Sequence, residues 1–192
     1  MLDPVRYKIV SLLAPKLWQE SKQGQIRPTI EAIVNQHKKQ LIGLEIGTAT
    51  GLNAKKMLTL LNIKHLYLID PYGKYKDGDG ETRDYTQYIP IMEKKLEKYQ
   101  NKITLYRETS IHAVTHFEDN SLDFIYIDGD HTYQNVSKEL ELYYPKVKSQ
   151  GVMGGHDFSA DFLSVILAVL DFTKKYQLKL QTKKEDWWII KQ

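Results

Sequence analysis

Leu44-Glu45-Ile46-Gly47-Thr48-Ala49-Thr50-Gly51 joins a strand, a glycine turn and the start of a helix. The apolar run Leu41 to Ile46 reads as a short strand, and Ala54 to Leu61 reads as the helix that follows. Gly47 lets the backbone turn sharply and come close to a ligand, while Gly51 lets the helix pack near the strand. The free N–H groups at the start of that helix suit an anionic group such as a carboxylate. The spacing is G-x-x-x-G, not the G-x-G-x-x-G of dinucleotide oxidoreductases. No G-x-x-x-x-G-K-[ST] occurs, which argues against a nucleotide triphosphatase.

On either side of this stretch, helices and strands alternate. The first 40 residues read as helix, with Ser11 to Trp18 as one apolar segment and Ile30, Ile33 and Val34 at helical spacing behind Pro28. After the turn come a strand at Leu66 to Ile69, a long polar loop from Tyr72 to Thr86, and a helix with Tyr88, Ile91, Met92, Leu96 and Tyr99 on one face. Strands follow at Ile103 to Tyr106, Leu122 to Ile127 and Gly151 to Gly155, with helices at Tyr133 to Tyr144 and Phe162 to Tyr176. Leu178 to Gln181 and Trp187 to Ile190 are placed to form an antiparallel hairpin. The pattern implies an α/β domain with a mostly parallel sheet and helices on both faces. The expected organisation is a helical extension over residues 1–40 and one larger unit over residues 41–192.

The counts agree with one globular unit. The chain has 192 residues, 42% hydrophobic and 27% charged, enough to bury a core and too apolar for disorder. The longest apolar candidate, Phe162 to Phe172, is broken by Ser164 and Asp171, so a membrane span is not expected. Asp3, Pro4, Arg6 and Lys8 stand where a signal peptide needs an apolar run. With no cysteine, disulfides, thiolate zinc sites and a cysteine nucleophile are excluded, and a cytoplasmic setting fits. The net charge of +3 is too small to call for nucleic acid, and the paired lysines read as solvated faces.

In parallel sheets, ligands bind beyond the carboxyl ends of the strands, at the switch in strand order. Those ends carry Glu45-Ile46-Gly47, Asp70, Ser110, Asp128 and His156-Asp157, so four of the five hold a carboxylate. Asp70 comes 25 residues after Glu45, at the end of the next strand, where an acid hydrogen-bonds ribose hydroxyls.

Glu45 to Gly51 resembles motif I of class I S-adenosylmethionine-dependent methyltransferases, and Leu68-Ile69-Asp70-Pro71 resembles their second motif. Ile125-Tyr126-Ile127-Asp128-Gly129-Asp130-His131-Thr132-Tyr133, with Gly151 to Phe158, is similar to a small-molecule O-methyltransferase branch related to catechol and sugar O-methyltransferases. The resemblance implies a Rossmann-like, seven-stranded sheet ending in the antiparallel hairpin. It implies S-adenosylmethionine as cofactor, held near Glu45, Gly47, Thr48, Gly51 and Asn53, with Asp70 on the ribose, Ser110 at the adenine and Asp128 beside it. Read from position alone, Ser110 is equally an N-cap and Asn53 a surface residue.

Asp128, His156 and Asp157 end neighbouring strands, and this mixed set suits a divalent ion such as Mg²⁺ or Mn²⁺. His156 stands where the branch often has an acid, and Phe158 where some members have Asn; the alternative is that Asp128 touches the cofactor and Asp157 caps the next helix. His131 leaves the fourth strand on a loop and is the candidate base, with Asp128 as its catalytic neighbour; the alternative is a loop brace. Asp77-Gly78-Asp79-Gly80-Glu81 lacks the spacing of an EF-hand loop and reads as a solvated tip. The expected activity is O-methylation of a small hydroxylated acceptor, a sugar or a phenol, with a homo-oligomer possible. The rivals are a nicotinamide oxidoreductase and a silent binding domain.

Overall fold

The computed structural model describes residues 26–36, 40–76 and 82–192. The apolar segment Ser11 to Trp18 and the acidic tip Asp77 to Glu81 lie outside these residues. The described elements are α1 (Pro28–Gln36), β1 (Leu41–Ile46), α2 (Leu52–Leu60), β2 (Ile63–Ile69), β3 (Lys74–Lys76), β4 (Thr82–Asp84) and α3 (Ile89–Leu96). They continue with β5 (Ile103–Tyr106), α4 (Ser110–Ala113), β6 (Leu122–Ile127), α5 (Tyr133–Tyr143), β7 (Val147–Gly155), α6 (Leu163–Lys175), β8 (Gln181–Lys183) and β9 (Asp186–Ile190).

Seven strands form one sheet in the order β5-β2-β1-β6-β7-β9-β8. The first five run parallel; β9 is antiparallel to β7, and β8 to β9. Strand alternation sends side chains to two separate cores. On β6, Ile125 and Ile127 pack with Leu140, Val165, Val169 and Trp187 beneath α4, α5 and α6. Phe124 and Tyr126 pack on the other face with Ile30, Met57 and Met92 of α1, α2 and α3. Order reverses between β1 and β6, so the crevice expected in such a sheet opens at the ends of those two strands.

Three local features differ from the sequence reading. The Tyr72 to Thr86 segment contains the β3–β4 hairpin, with Tyr75 stacked on Tyr85 at 4.5 Å between ring centroids. Such short, charged strands show no apolar alternation to read. The final hairpin starts at Gln181, not Leu178, because Leu178 and Leu180 pack on the core after α6 and pairing begins at Gln181 with Trp188. Helix α1 buries Ile30 and Ile33 but leaves Val34 exposed.

At Gly47 the backbone sits at φ +85°, and a Cβ there would lie 1.9 Å from the Asp128 carbonyl oxygen. Gly47→Ala should therefore lose about 2–5 kcal/mol, the sum of left-handed strain and overpacking. Urea unfolding checks this; a loss below about 1 kcal/mol would mean the β1 turn and β6 are not held this close.

Candidate active site at the switch in strand order

The turn after β1 is closed by the acid that ends β2. Asp70 Oδ2 accepts from the Ala49 amide at 2.8 Å, and Oδ1 from the Tyr72 amide at 2.9 Å. The Tyr72 hydroxyl returns a hydrogen bond to the Ala49 carbonyl at 2.7 Å. Ala49 and Tyr72 both adopt left-handed backbone, at φ 44° and 47°, strain that these bonds offset. Burial raises the Asp70 pKa, and the amides of Ala49 and Tyr72 oppose that shift.

Beneath the turn, Glu45 is buried and accepts from Asn53 Nδ2 at 2.9 Å. Burial pushes its carboxyl up to about 8, the Asn53 bond opposing and the nearby Asp128 charge adding. Glu45 Oε2, Thr48 Oγ1 and Asn53 Oδ1 are buried without a partner among the described residues. Three such atoms around one glycine turn are a concentration of unmet polar demand, which native interiors rarely leave unfilled.

Ser110 does not cap a helix. Thr109 takes the cap position of α4, and the Ser110 hydroxyl donates to Glu139 Oε1 at 2.6 Å. A buried carboxyl draws the hydroxyl inward, and burial pushes that carboxyl up to about 7. Sequence reading gave no role to Glu139, which sits inside the helix read over Tyr133 to Tyr144.

Across the crevice, Asp128, His131 and Asp157 converge, each offering a ligand atom within 4.8 Å of the others. His131 Nε2 lies 2.7 Å from Asp157 Oδ2, and His156 Nδ1 lies 2.8 Å from Asp157 Oδ1. Burial works against the Asp157 charge, but bonds from both imidazoles outweigh it and hold the carboxyl well below the usual range. Asp157 itself sits at φ 60°, the left-handed region. Asp128 is pushed up to about 6 by burial, with Arg27 opposing. Burial also opposes the charge on His131, yet Asp157 carries its pKa above the ordinary imidazole value. Val136, Val165 and Trp187 wall this pocket.

The structure therefore exchanges one member of the expected ligand set. His156 lies 3.4 Å from Glu185 and 4.0 Å from Asp186, so it braces Asp157 from behind. The Nδ1 of His156 is spent on Asp157 Oδ1, and this imidazole is not the one gathered with Asp128. The imidazole that lies within 4.8 Å of both carboxylates is His131. Its loop is tied by Asp130, which accepts from the Thr132 amide and the Asn135 side chain.

Sequence reading missed Arg27 altogether. Its guanidinium donates to the Tyr126 hydroxyl at 2.9 Å and lies 3.4 Å from Asp128 and 3.8 Å from Asp186. The only signal was an arginine directly before the helix-opening Pro28.

Residues 44–158 match a family described as a methyltransferase domain. The chain belongs to this methyltransferase family. A further relative, an uncharacterized protein of Acanthamoeba polyphaga mimivirus, is 28% identical over 141 residues. That alignment takes in 67% of this chain and 57% of the relative, so the chain spans little more than half of that protein's length. The same fold appears in the O-methyltransferase NovP, at TM-score 0.64 and 16% identity, over 88% of this chain and 79% of that one. It appears also in a TDP-rhamnose 3'-O-methyltransferase of calicheamicin biosynthesis, at TM-score 0.63 and 12% identity, over 98% and 87% of the two chains. The methyltransferase domain thus takes in the glycine turn, Asp70 and the Asp128–His131–Asp157 cluster, while Arg27 lies outside the matched region. No helix among the described residues is long and apolar enough to cross a membrane.

The buried Glu45 gives the methyltransferase domain a pH-dependent stability. Its folded pKa lies above the unfolded value, so its contribution is complete below about pH 4.5 and is lost as pH rises through about 8. Urea unfolding from pH 5 to 8 should show stability falling, and Glu45→Gln should flatten that slope. An unchanged slope in the variant would place the titrating group elsewhere.

Proposed function

We propose that this chain transfers the methyl group of S-adenosylmethionine to a hydroxyl oxygen of a small molecule. The observation that carries the reading is the set of unpartnered buried atoms, Glu45 Oε2, Thr48 Oγ1 and Asn53 Oδ1, gathered at the glycine turn. Their donors and acceptors suit the ammonium and carboxylate of a methionine moiety. The α2 N-terminus beside them favours the carboxylate. Asp70 spends one lone pair of each oxygen on the turn and keeps the others for ribose hydroxyls. Ser110 would line the adenine.

Bound S-adenosylmethionine supplies an electrophilic sulfonium methyl. The chain's part is to seat the acceptor in line with it, in the pocket over Asp128 and His131, and to take the acceptor's proton. Asp128, ionised above about pH 6, lies beside His131, and its negative charge favours the imidazolium that forms there. With Nε2 turned to Asp157, His131 receives the proton on Nδ1, and Asp157 stabilises the imidazolium that results. The apolar wall of Val136, Val165 and Trp187 suits a small ring and keeps water away. A sugar or a phenol fits these demands.

A second reading is favoured by the mutual closeness of Asp128, His131 and Asp157. These three would hold a divalent ion such as Mg²⁺ or Mn²⁺, which would lower the pKa of the acceptor hydroxyl and orient it. Their two carboxylates and imidazole fit such an ion by ligand type.

Methyl-labelled S-adenosylmethionine, offered with panels of phenols and sugars, tests the activity directly; no label transfer to any hydroxylated acceptor would contradict it. Asp70→Asn should weaken cofactor binding about tenfold by calorimetry, the cost of one charge-assisted hydrogen bond. With a productive acceptor, His131→Ala should cut turnover by about 10²–10⁴ in the presence of EDTA while cofactor affinity holds. Because Asp157 raises the His131 pKa, the wild-type rate should rise with pH through a value above about 6.5. Asp157→Asn should move that rise to lower pH. Wild-type turnover in His131→Ala would return His131 to a structural role, and turnover abolished by EDTA would support the ion.

A further inference from the structure

Arg27 belongs to neither the matched family region nor any motif in the sequence, yet it reaches the acceptor side of the crevice. Its place is fixed at both ends. Two residues on, the Thr29 amide donates to Asp186 Oδ2 at 3.0 Å, and the Thr29 hydroxyl donates to the Trp187 carbonyl at 3.2 Å. These bonds stitch the start of α1 to β9. The guanidinium then donates to Tyr126, whose own hydroxyl donates to Asp186 Oδ1 at 3.4 Å. An arginine held by a buried tyrosine and two carboxylates is a built feature, not a surface side chain resting on an acid.

The charges around it are unequally shared. Both oxygens of Asp157 are taken by His131 and His156. Among the described residues, Asp128 has no imidazole within ion-pair distance, and its only cation at that range is Arg27, 3.4 Å away. We propose that Arg27 is the resident cation of Asp128 and occupies the electrostatic place that a divalent ion would otherwise take. This rests on reading Asp128, His131 and Asp157 as the acceptor-side cluster. A divalent ion on Asp128 would share that carboxylate with a positive charge held 3.4 Å from its oxygen. At an effective dielectric near 20, that repulsion is strong enough to weaken the ion's binding by at least about tenfold. Arg27 is thus a positioning residue: it pairs with Asp128 and aims it, and it disfavours metal in the same pocket.

Mn²⁺ titration followed by electron paramagnetic resonance tests this without reference to turnover. Wild type, Arg27→Met, Arg27→Gln and Arg27→Lys are compared, with calorimetric S-adenosylmethionine affinity and unfolding midpoint recorded for each. Arg27→Met and Arg27→Gln should bind Mn²⁺ at least about tenfold more tightly than wild type, because the like charge is gone. Arg27→Gln keeps a donor for Tyr126, so it reports on charge if Arg27→Met fails to fold. Arg27→Lys should stay near wild type, and adding Asp128→Asn to either neutral variant should erase the gain. Equal or weaker Mn²⁺ binding in a folded neutral variant would overturn the proposal. So would tight Mn²⁺ binding by the wild type that these variants leave unchanged. A wild type that binds no S-adenosylmethionine would instead count against the methyl-transfer reading, and the Mn²⁺ comparison would still decide the role of Arg27.

Discussion

Between Gly47 and the Asp128 carbonyl there is no room for even one methyl group. This close approach, at the point where strand order reverses, joins the two halves of the site. It lets the turn after β1 lie against the end of β6, so Glu45 and Asp70 share one crevice with Asp128, His131 and Asp157. Glu45 and Asp128 are close enough that the charge of Asp128 adds to the rise in the Glu45 pKa. A side chain at Gly47 would push the two halves apart.

Charge compensation follows from that crowding. Parallel strands deliver their terminal side chains to one edge, and in this chain four of those ends carry acids. Buried carboxylates are tolerable only with partners. Asp70 takes backbone amides, Asp157 takes two imidazoles, and Asp128 takes an arginine from the other end of the chain. Glu45 has only one amide donor and keeps a raised pKa. The least satisfied group thus lies at the turn where a ligand bearing an ammonium would satisfy it.

The sheet was legible because its central strands are buried on both faces and read as plain apolar runs, as Leu122 to Ile127 does. The strand-end rule then brought Glu45, Gly47, Asp70, Asp128 and Asp157 to one edge. What escaped the sequence escaped for local reasons. Strands β3 and β4 are too short and polar to show a period. Ser110 looked like a cap because its partner, Glu139, lies 29 residues away on another helix. That His131, and not His156, gathers with Asp128 and Asp157 depends on loop geometry, with Asp157 in the left-handed region, that nothing in the sequence announces. Arg27 was invisible because its partners are 99 to 159 residues away in the chain.

The central claim is that the glycine turn is shaped for S-adenosylmethionine. Titration calorimetry with S-adenosylmethionine, its demethylated product and NAD measures this most directly. The account predicts one molecule of either adenosyl compound bound per chain and no heat from NAD. Binding of NAD, or no binding of either adenosyl compound by the folded protein, would contradict it.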